Sequence, residues 1–459
     1  MGEGVTSSRR GGTVVVKLVV FFVVGFSMFA FRHLSRAGVA AAAGTGLFLS
    51  SPFHSSSAAC HGSHAHDDRI DQLEKKLANM AGQLEAQFGV SQTSGQGDFV
   101  FSWEQELTAK FPEEARPFEK DMHGGFNENA KTGVVYTGIP GAGLFAISPD
   151  LATWTRLGTD ERLKANIHGL VVFEHKGQTL IACAQNEQAR VLLLSLDGEV
   201  LQQLDAPKGG EFNFDEANGY YSKNPRKGCP WHEVQGLSGG PDFAVTDVTY
   251  CPENGRLYCV TGYCDGDFVL SASMGDDGRW AWGPVAWGGK GDGAAQFQTA
   301  HGVFAHEGHI FVANREAHQV LEFTPEGQLV RMLGDIPAGA RICNVARAGE
   351  HGYFVMNALE PIQHTPAKTA AVYAHDGEKL VSTIEPGTLG VPILKHLHHV
   401  WPHYTTDEKG QKQLYILVHG WSQGKFAVLK HEPGAAPTVP NGWNRSPVDG
   451  TLSPTGVKW

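Results

Sequence analysis

From about residue 134 to residue 430, short apolar runs alternate with turns rich in Gly, Asn, Asp and Pro. One unit recurs: an apolar strand, a Gly-containing turn, a second strand, another turn and a third strand. Ile167–Phe173, Gln178–Cys183 and Arg190–Leu194 form one copy, and Ala300–Ala305, His309–Asn314 and Gln319–Phe323 form another. A third is Val245–Tyr250, Arg256–Val260 and Asp267–Leu270; a fourth is His399–Trp401, Gln413–Val418 and Lys425–Leu429. Weaker copies starting near Val134 and Ile342 bring the total to six. Apolar positions that alternate inside each run are what half-buried antiparallel strands require. No helical period separates the strands, which excludes a parallel βαβ fold. Sandwiches also use short strands, but similarity from unit to unit predicts blades around an axis. The expectation is an all-β, six-bladed β-propeller over residues 99–435, followed by a C-terminal tail, 436–459. The stretch 205–240, rich in Gly, Asn and Tyr and holding Trp231, predicts a long loop laid over one face.

The first 98 residues follow other rules. Arg9 and Arg10 precede an apolar stretch from Thr13 to Phe31, broken only by Lys17, and an Ala/Gly/Ser-rich run continues to about Ala59. A basic start and an apolar middle predict a signal peptide, and the length also allows a membrane anchor. The chain is therefore expected in the secretory pathway or anchored to its membranes. The Ala/Ser-rich, acid-free continuation resembles a transit peptide, which makes two-part targeting to a plastid the other destination. His61, His64 and His66 lie in a short polar tract read as a solvated linker. Ile70, Leu73, Leu77, Met80 and Leu84 then fall at 3-4-3-4 spacing. That predicts an amphipathic helix over 68–88, either packed on the propeller's flank or serving as a weak oligomerisation stalk.

Composition narrows the partners. Hydrophobic residues make up 41% of the chain, enough for a core, and the 57 glycines without collagen periodicity suit many tight turns. A formal net charge of −11 and no run of Lys or Arg in the repeat region exclude nucleic acid. Seven cysteines are too few for a disulfide scaffold. Cys183, Cys259 and Cys343 sit in apolar strand patterns and read as core. Cys229, Cys251 and Cys264 read as turn residues that could form one disulfide in an oxidising compartment.

In a propeller blade the innermost strand starts at one face and the second strand returns to it. His168, His301 and His398 all occupy the entry to a first strand, in blades spaced around the ring. Three imidazoles meeting on an axis, with a fourth position open, is the donor set of a catalytic zinc site. Tyr263 and Arg315 follow second strands and reach the same rim. A phenol beside a cation can move a proton, and a guanidinium can hold a carboxylate. His419 is expected at the register of Arg315 in the last blade, and so at the mouth as well.

Thr246-Asp247-Val248, Gly262-Tyr263-Cys264, Ala300-His301-Gly302 and Ala313-Asn314-Arg315-Glu316 resemble peptidylglycine α-amidating lyase, an NHL-repeat propeller. Ile167-His168-Gly169-Leu170 matches that family's first metal histidine and His398 its third, and the resemblance spans roughly residues 120–432. It implies zinc on three histidines, with a tyrosine and arginines splitting an α-hydroxyglycine into an amide and glyoxylate. The family places a calcium-binding aspartate after the third histidine; His399 stands there, which speaks against calcium. Where the family has an arginine before the first blade, this chain offers only Lys120 and His123. Cys229 is the candidate partner that the resemblance leaves for Cys264. No copper hydroxylase segment accompanies the propeller, so a partner would have to supply a hydroxylated peptide. The expected function is a zinc-dependent lyase acting on a small carboxylate-bearing or peptide substrate. The alternatives are a propeller hydrolase of the lactonase type and a non-catalytic protein-binding scaffold.

Overall fold

Five four-stranded antiparallel sheets and one five-stranded sheet succeed one another in the computed structural model of the chain. It describes residues 93–207, 243–264, 266–359, 370–391, 396–421 and 425–435, and two paired strands, Trp443–Arg445 and Leu452–Pro454. Blade 1 runs Phe126–Glu128, Val135–Ile139, Gly143–Ile147 and Trp154–Leu157. Blade 2 is Gly169–His175, Gln178–Gln185, Arg190–Leu194 and Val200–Asp205. Blade 3 is Asp247–Cys251, Arg256–Val260, Phe268–Met274 and Trp280–Gly288. Blade 4 is Ala300–His306, His309–Asn314, Gln319–Phe323 and Leu329–Met332. Blade 5 is Arg341–Ala348, Tyr353–Leu359, Ala371–His375 and Leu380–Ile384. Blade 6 takes Leu397–Thr406, Lys412–Gly420 and Phe426–His431 from late in the chain, then Phe99–Trp103 and Thr93–Gln96 from early in it. The fold is a six-bladed β-propeller.

Two things differ from the repeat pattern. Each blade has a fourth strand, and in blades 1 and 4 it is half exposed, Trp154–Leu157 and Leu329–Met332, so its sequence carries little apolar signal. Blade 1 also begins earlier than its first apolar run, with Phe126-Asn127-Glu128 as a three-residue innermost strand.

Why the inner strands read as nearly continuous apolar runs is visible in the core. Six hydrophobic clusters lie between neighbouring blades. Along Gln178–Gln185, Leu180, Ala182 and Ala184 pack toward blade 3, while Ile181 and Cys183 pack toward blade 1. Both faces are buried, so neither can be polar. Each such Leu, Ile or Val contributes roughly 1.5–3 kcal/mol by leaving water. Tight hairpins keep these strands in register. Lys176-Gly177 in blade 2 and Glu307-Gly308 in blade 4 take positive φ at both turn positions (50° and 80°, 49° and 74°), the primed turn that matches strand twist.

Blade 6 closes the ring. Phe101 pairs with His431 and Trp103 with Leu429. The strap also grips blade 5: Gln96 N donates to Ser382 Oγ at 2.8 Å, Ser382 Oγ donates to Phe99 O at 2.8 Å, and Glu385 N donates to Ser94 Oγ at 2.9 Å.

Cys183, Cys259 and Cys343 are buried free thiols. Cys251 and Cys264, read above as turn residues for a disulfide, are buried free thiols as well. Cys264 Sγ donates to Thr261 O at 3.1 Å, and burial pushes its thiol up. Cys229 lies outside the described residues, as do segment 13–31, helix 68–88 and the loop beyond Pro207. Among the described residues no helix is long and apolar enough to cross a membrane.

Candidate metal centre

Strand pairing fixes which residues are equivalent from blade to blade. Gly169 faces Ala184, Asp247 faces Val260, Gly302 pairs with Ala313, Asn344 with Asn357 and His399 with His419. The residue just before each forms a mouth ring: His168, Thr246, His301, Cys343 and His398, with Gly124 the counterpart in blade 1. Histidines therefore stand on alternate blades, 2, 4 and 6. Their rings converge, with all three centroid pairs at 4.8 Å. Each is only 2% exposed.

For His168 and His301 the following blade sets the tautomer. His168 Nδ1 donates to Thr246 O at 2.5 Å, and His301 Nδ1 donates to Cys343 O at 2.8 Å. A carbonyl only accepts, so Nδ1 carries the proton and Nε2 presents a lone pair. In blade 1 the matching carbonyl, Gly124 O, accepts instead from His419 Nε2. Among the described residues, His168 Nε2 and both nitrogens of His398 are buried with no hydrogen-bond partner. Burial drives the pKa of His168 down to about 3 and holds His301 and His398 well below the usual histidine value. All three are neutral imidazoles at physiological pH, the form that binds a metal.

Tyr263 and Arg315 meet this cluster. Tyr263 donates its hydroxyl to His301 Nε2 at 2.9 Å and accepts from Arg315 Nη1 at 3.0 Å. Burial raises the Tyr263 phenol, while the Arg315 guanidinium pulls it back. Glu316 bridges Arg315 Nε and Arg341 Nη2, both at 2.9 Å, which fixes the guanidinium at the rim. The five residues singled out by the repeats are thus brought together.

Two placements differ from expectation. His419 is fully buried and stacks on His398 and His399 instead of lining the mouth, and its pKa falls to about 4 through burial. Pairing of His399 with His419, against Gly302 with Ala313, makes Trp421 the counterpart of Arg315. Counting residues failed because the blade 4 hairpin turns on two residues, whereas the blade 6 strands run on to Thr406 and restart at Lys412. The second is His123, which joins the cluster with ring centroids 4.3 Å from His168 and 4.1 Å from His398. Lys120, the other residue near the expected arginine, is exposed. His123 is buried and its pKa is held well below the usual value by burial, then by His168, so it supplies no positive charge in the arginine's stead.

One residue deeper, the second ring behaves differently. Asp247 accepts from Val303 N at 2.9 Å and Val248 N at 2.8 Å, Asn344 Oδ1 accepts from Val400 N at 3.1 Å, and His399 Nδ1 accepts from Phe126 N at 3.3 Å. Each reaches a backbone N–H of the next blade. Glycines make the room: a Cβ on Gly169 would lie 2.0 Å from Asp247 Oδ1, and one on Gly125 2.9 Å from His399 Nε2. The cavity against these side chains is about 20 Å³, space for about one water.

No family model matches the chain, and no curated protein matches it. Solved structures do. A 6-phosphogluconolactonase-like protein of Bacteroides uniformis is 11% identical over 80% of this chain and 96% of its own, with a TM-score of 0.40. A luciferin-regenerating enzyme is 10% identical over 72% of this chain and 94% of its own, with a TM-score of 0.41. Hydrazine synthase of Kuenenia stuttgartiensis is 8% identical over 66% and 77%, with a TM-score of 0.38. Likeness at this level carries no argument about chemistry.

Proposed function

We propose that the protein is a metal-dependent lyase that holds one divalent ion, zinc by preference, on His168, His301 and His398. Its substrate is a small carboxylate-bearing molecule of the α-hydroxyglycine type. The observation that carries this reading is the set of buried imidazole nitrogens left without a partner at the centre of the cluster. An unpaired buried polar atom costs roughly 1–3 kcal/mol, and one nitrogen from each of the neighbouring His168 and His398 rings can meet a shared partner. Three neutral nitrogens leave a fourth coordination position for substrate. Calcium finds no carboxylate at this ring, since Asp247 lies one residue deeper and is committed to backbone N–H groups.

Bound zinc would supply a Lewis acid for an oxygen of the substrate. Arg315, at the rim and 14% exposed, pairs with the substrate carboxylate. Tyr263 lies between Arg315 and His301. His301 Nε2 can serve either the ion or the phenol, so a loaded site frees the Tyr263 hydroxyl for the substrate. Tyr263 then carries the carbinol proton to the amide nitrogen as the C–N bond breaks. The products are the amide and glyoxylate, with no net proton consumed.

Elemental analysis of the purified full chain tests the metal, and glyoxylate release from an α-hydroxyglycine substrate tests the reaction. About one zinc per chain is expected, and His301→Ala lowers both metal affinity and turnover by more than about 100-fold. A wild-type chain that neither carries nor takes up zinc sinks the reading. Lactone opening without glyoxylate release transfers the site to a hydrolase of the lactonase type. Alanine at all three histidines with every activity unchanged leaves the protein-binding scaffold.

A further inference from the structure

We infer that His123 is a fourth nitrogen ligand of the same ion, so that the resting site is closed by four imidazoles. The inference rests on the metal reading above and adds a residue to it. One ring nitrogen from each of His123, His168 and His398 lies within 4.8 Å of the others. The His123 ring is nearer to those two, at 4.3 and 4.1 Å, than the three alternating-blade histidines are to one another, at 4.8 Å. His301, by contrast, has a partner for both nitrogens, Cys343 O and the Tyr263 hydroxyl.

The surroundings of His123 match those of a held ligand. Met122 is fully buried and its N–H donates to Glu119 O at 3.2 Å, so the backbone that carries His123 is pinned. Trp421 stacks on the ring at 5.3 Å and 24°. His123 Nδ1 faces Asn166 Nδ2 at 2.8 Å, and Asn166 Nδ2 also reaches Asn186 Oδ1 at 3.1 Å. Asn166 Oδ1 is buried and has no partner among the described residues. The two ends of an amide differ only by a half-turn. Turned over together with Asn186, whose Nδ2 then donates where its Oδ1 had accepted, Asn166 Oδ1 accepts the Nδ1–H of His123 and leaves Nε2 as a lone pair, the same outer-shell arrangement that Thr246 O gives His168.

A four-imidazole set is closed, whereas catalytic zinc sites keep one position open. In this chain substrate must therefore displace His123 or raise the coordination number to five. Cobalt(II) loaded into the full chain reports the ligand set through its visible absorption, and X-ray absorption of the zinc form counts imidazoles. Four are expected in the wild type. His123→Ala is expected to show three imidazoles and an oxygen donor, a changed cobalt spectrum and metal affinity weaker by roughly 10–100-fold. Asn166→Ala moves in the same direction by less, and His123→Gln replaces the alanine variant if that fails to fold. Wild type and His123→Ala with the same imidazole count and the same affinity overturn the inference and leave the metal reading standing. A wild type that binds neither metal sinks both.

Discussion

Two rings of side chains, one residue apart on the same strands, have opposite bookkeeping. In the deeper ring Asp247, Asn344 and His399 each accept a backbone N–H, and glycines at 125, 169 and 302 give them room. In the mouth ring the histidines are equally buried, yet His168 and His398 keep nitrogens with no hydrogen-bond partner among the described residues. Burial and polarity alone would rank the two rings alike. What separates them is satisfaction: the deep ring stitches blade to blade, while in the mouth ring His168 Nε2 and both His398 nitrogens have no partner among the described residues, the place where the proposed ion would sit.

Three changes sharpen that contrast. The largest effect is expected at the mouth: Tyr263→Phe lowers kcat by about 10²–10⁴-fold while zinc content and Tm stay at wild-type values. A parallel fall in Tm would make the mouth as structural as the ring below it. In the deep ring Gly169→Ala drives a Cβ into Asp247 and destabilises the fold by about 3 kcal/mol or more, or abolishes folding, as denaturant unfolding will show. A folded, fully stable Gly169→Ala would mean that the deep ring has slack. The smallest effect concerns pH. Burial raises the Asp247 carboxyl to about 7, against the lowering pull of Val303 N–H and Val248 N–H. The native state then holds a proton that the unfolded chain, near 3.9, releases. The contribution of Asp247 is therefore fully present below about pH 4 and is lost as pH rises through 7, by up to about 1.4 kcal/mol per unit. The buried neutral histidines contribute in the opposite direction, losing stability as pH falls below their ordinary value. Asp247→Asn should remove the Asp247 contribution, read as the difference in Tm between variant and wild type followed against pH. A difference that does not change between about pH 4 and 7 assigns the proton to another group, such as Asp267, which burial also raises to about 7.

Repetition made part of this legible. His168, His301 and His398 stand out in the sequence because three apolar strands announce where each begins, and equal rank in a repeat means equal height on the axis. His123 had no such herald: the strand after it is Phe-Asn-Glu, three residues with no apolar run. Its proximity to His168 follows from blade 1 lying beside blade 2, not from any spacing. Hairpin length hid Trp421 and misplaced His419, since a longer hairpin in blade 6 shifts the count without shifting the strand ends. Outer strands such as Leu329–Met332 escaped because half-exposed positions need not be apolar. The closing strand escaped because its partner is a few hundred residues away, beyond any local pattern.

That closing strand also has a place in time. Ser102 meets Glu432, 330 residues further on. As the chain leaves the ribosome, Phe99–Trp103 emerges early with its hairpin partner Thr93–Gln96, and its other edge stays unpaired until Phe426–His431 has been made. His398, too, arrives only with the last blade. A nascent chain that halts after blade 5 is left with an open sheet edge, a surface prone to pairing with other chains. Closure and the third histidine are delivered by the same segment, so the protein acquires its ring and its candidate metal site together, once blade 6 has been made.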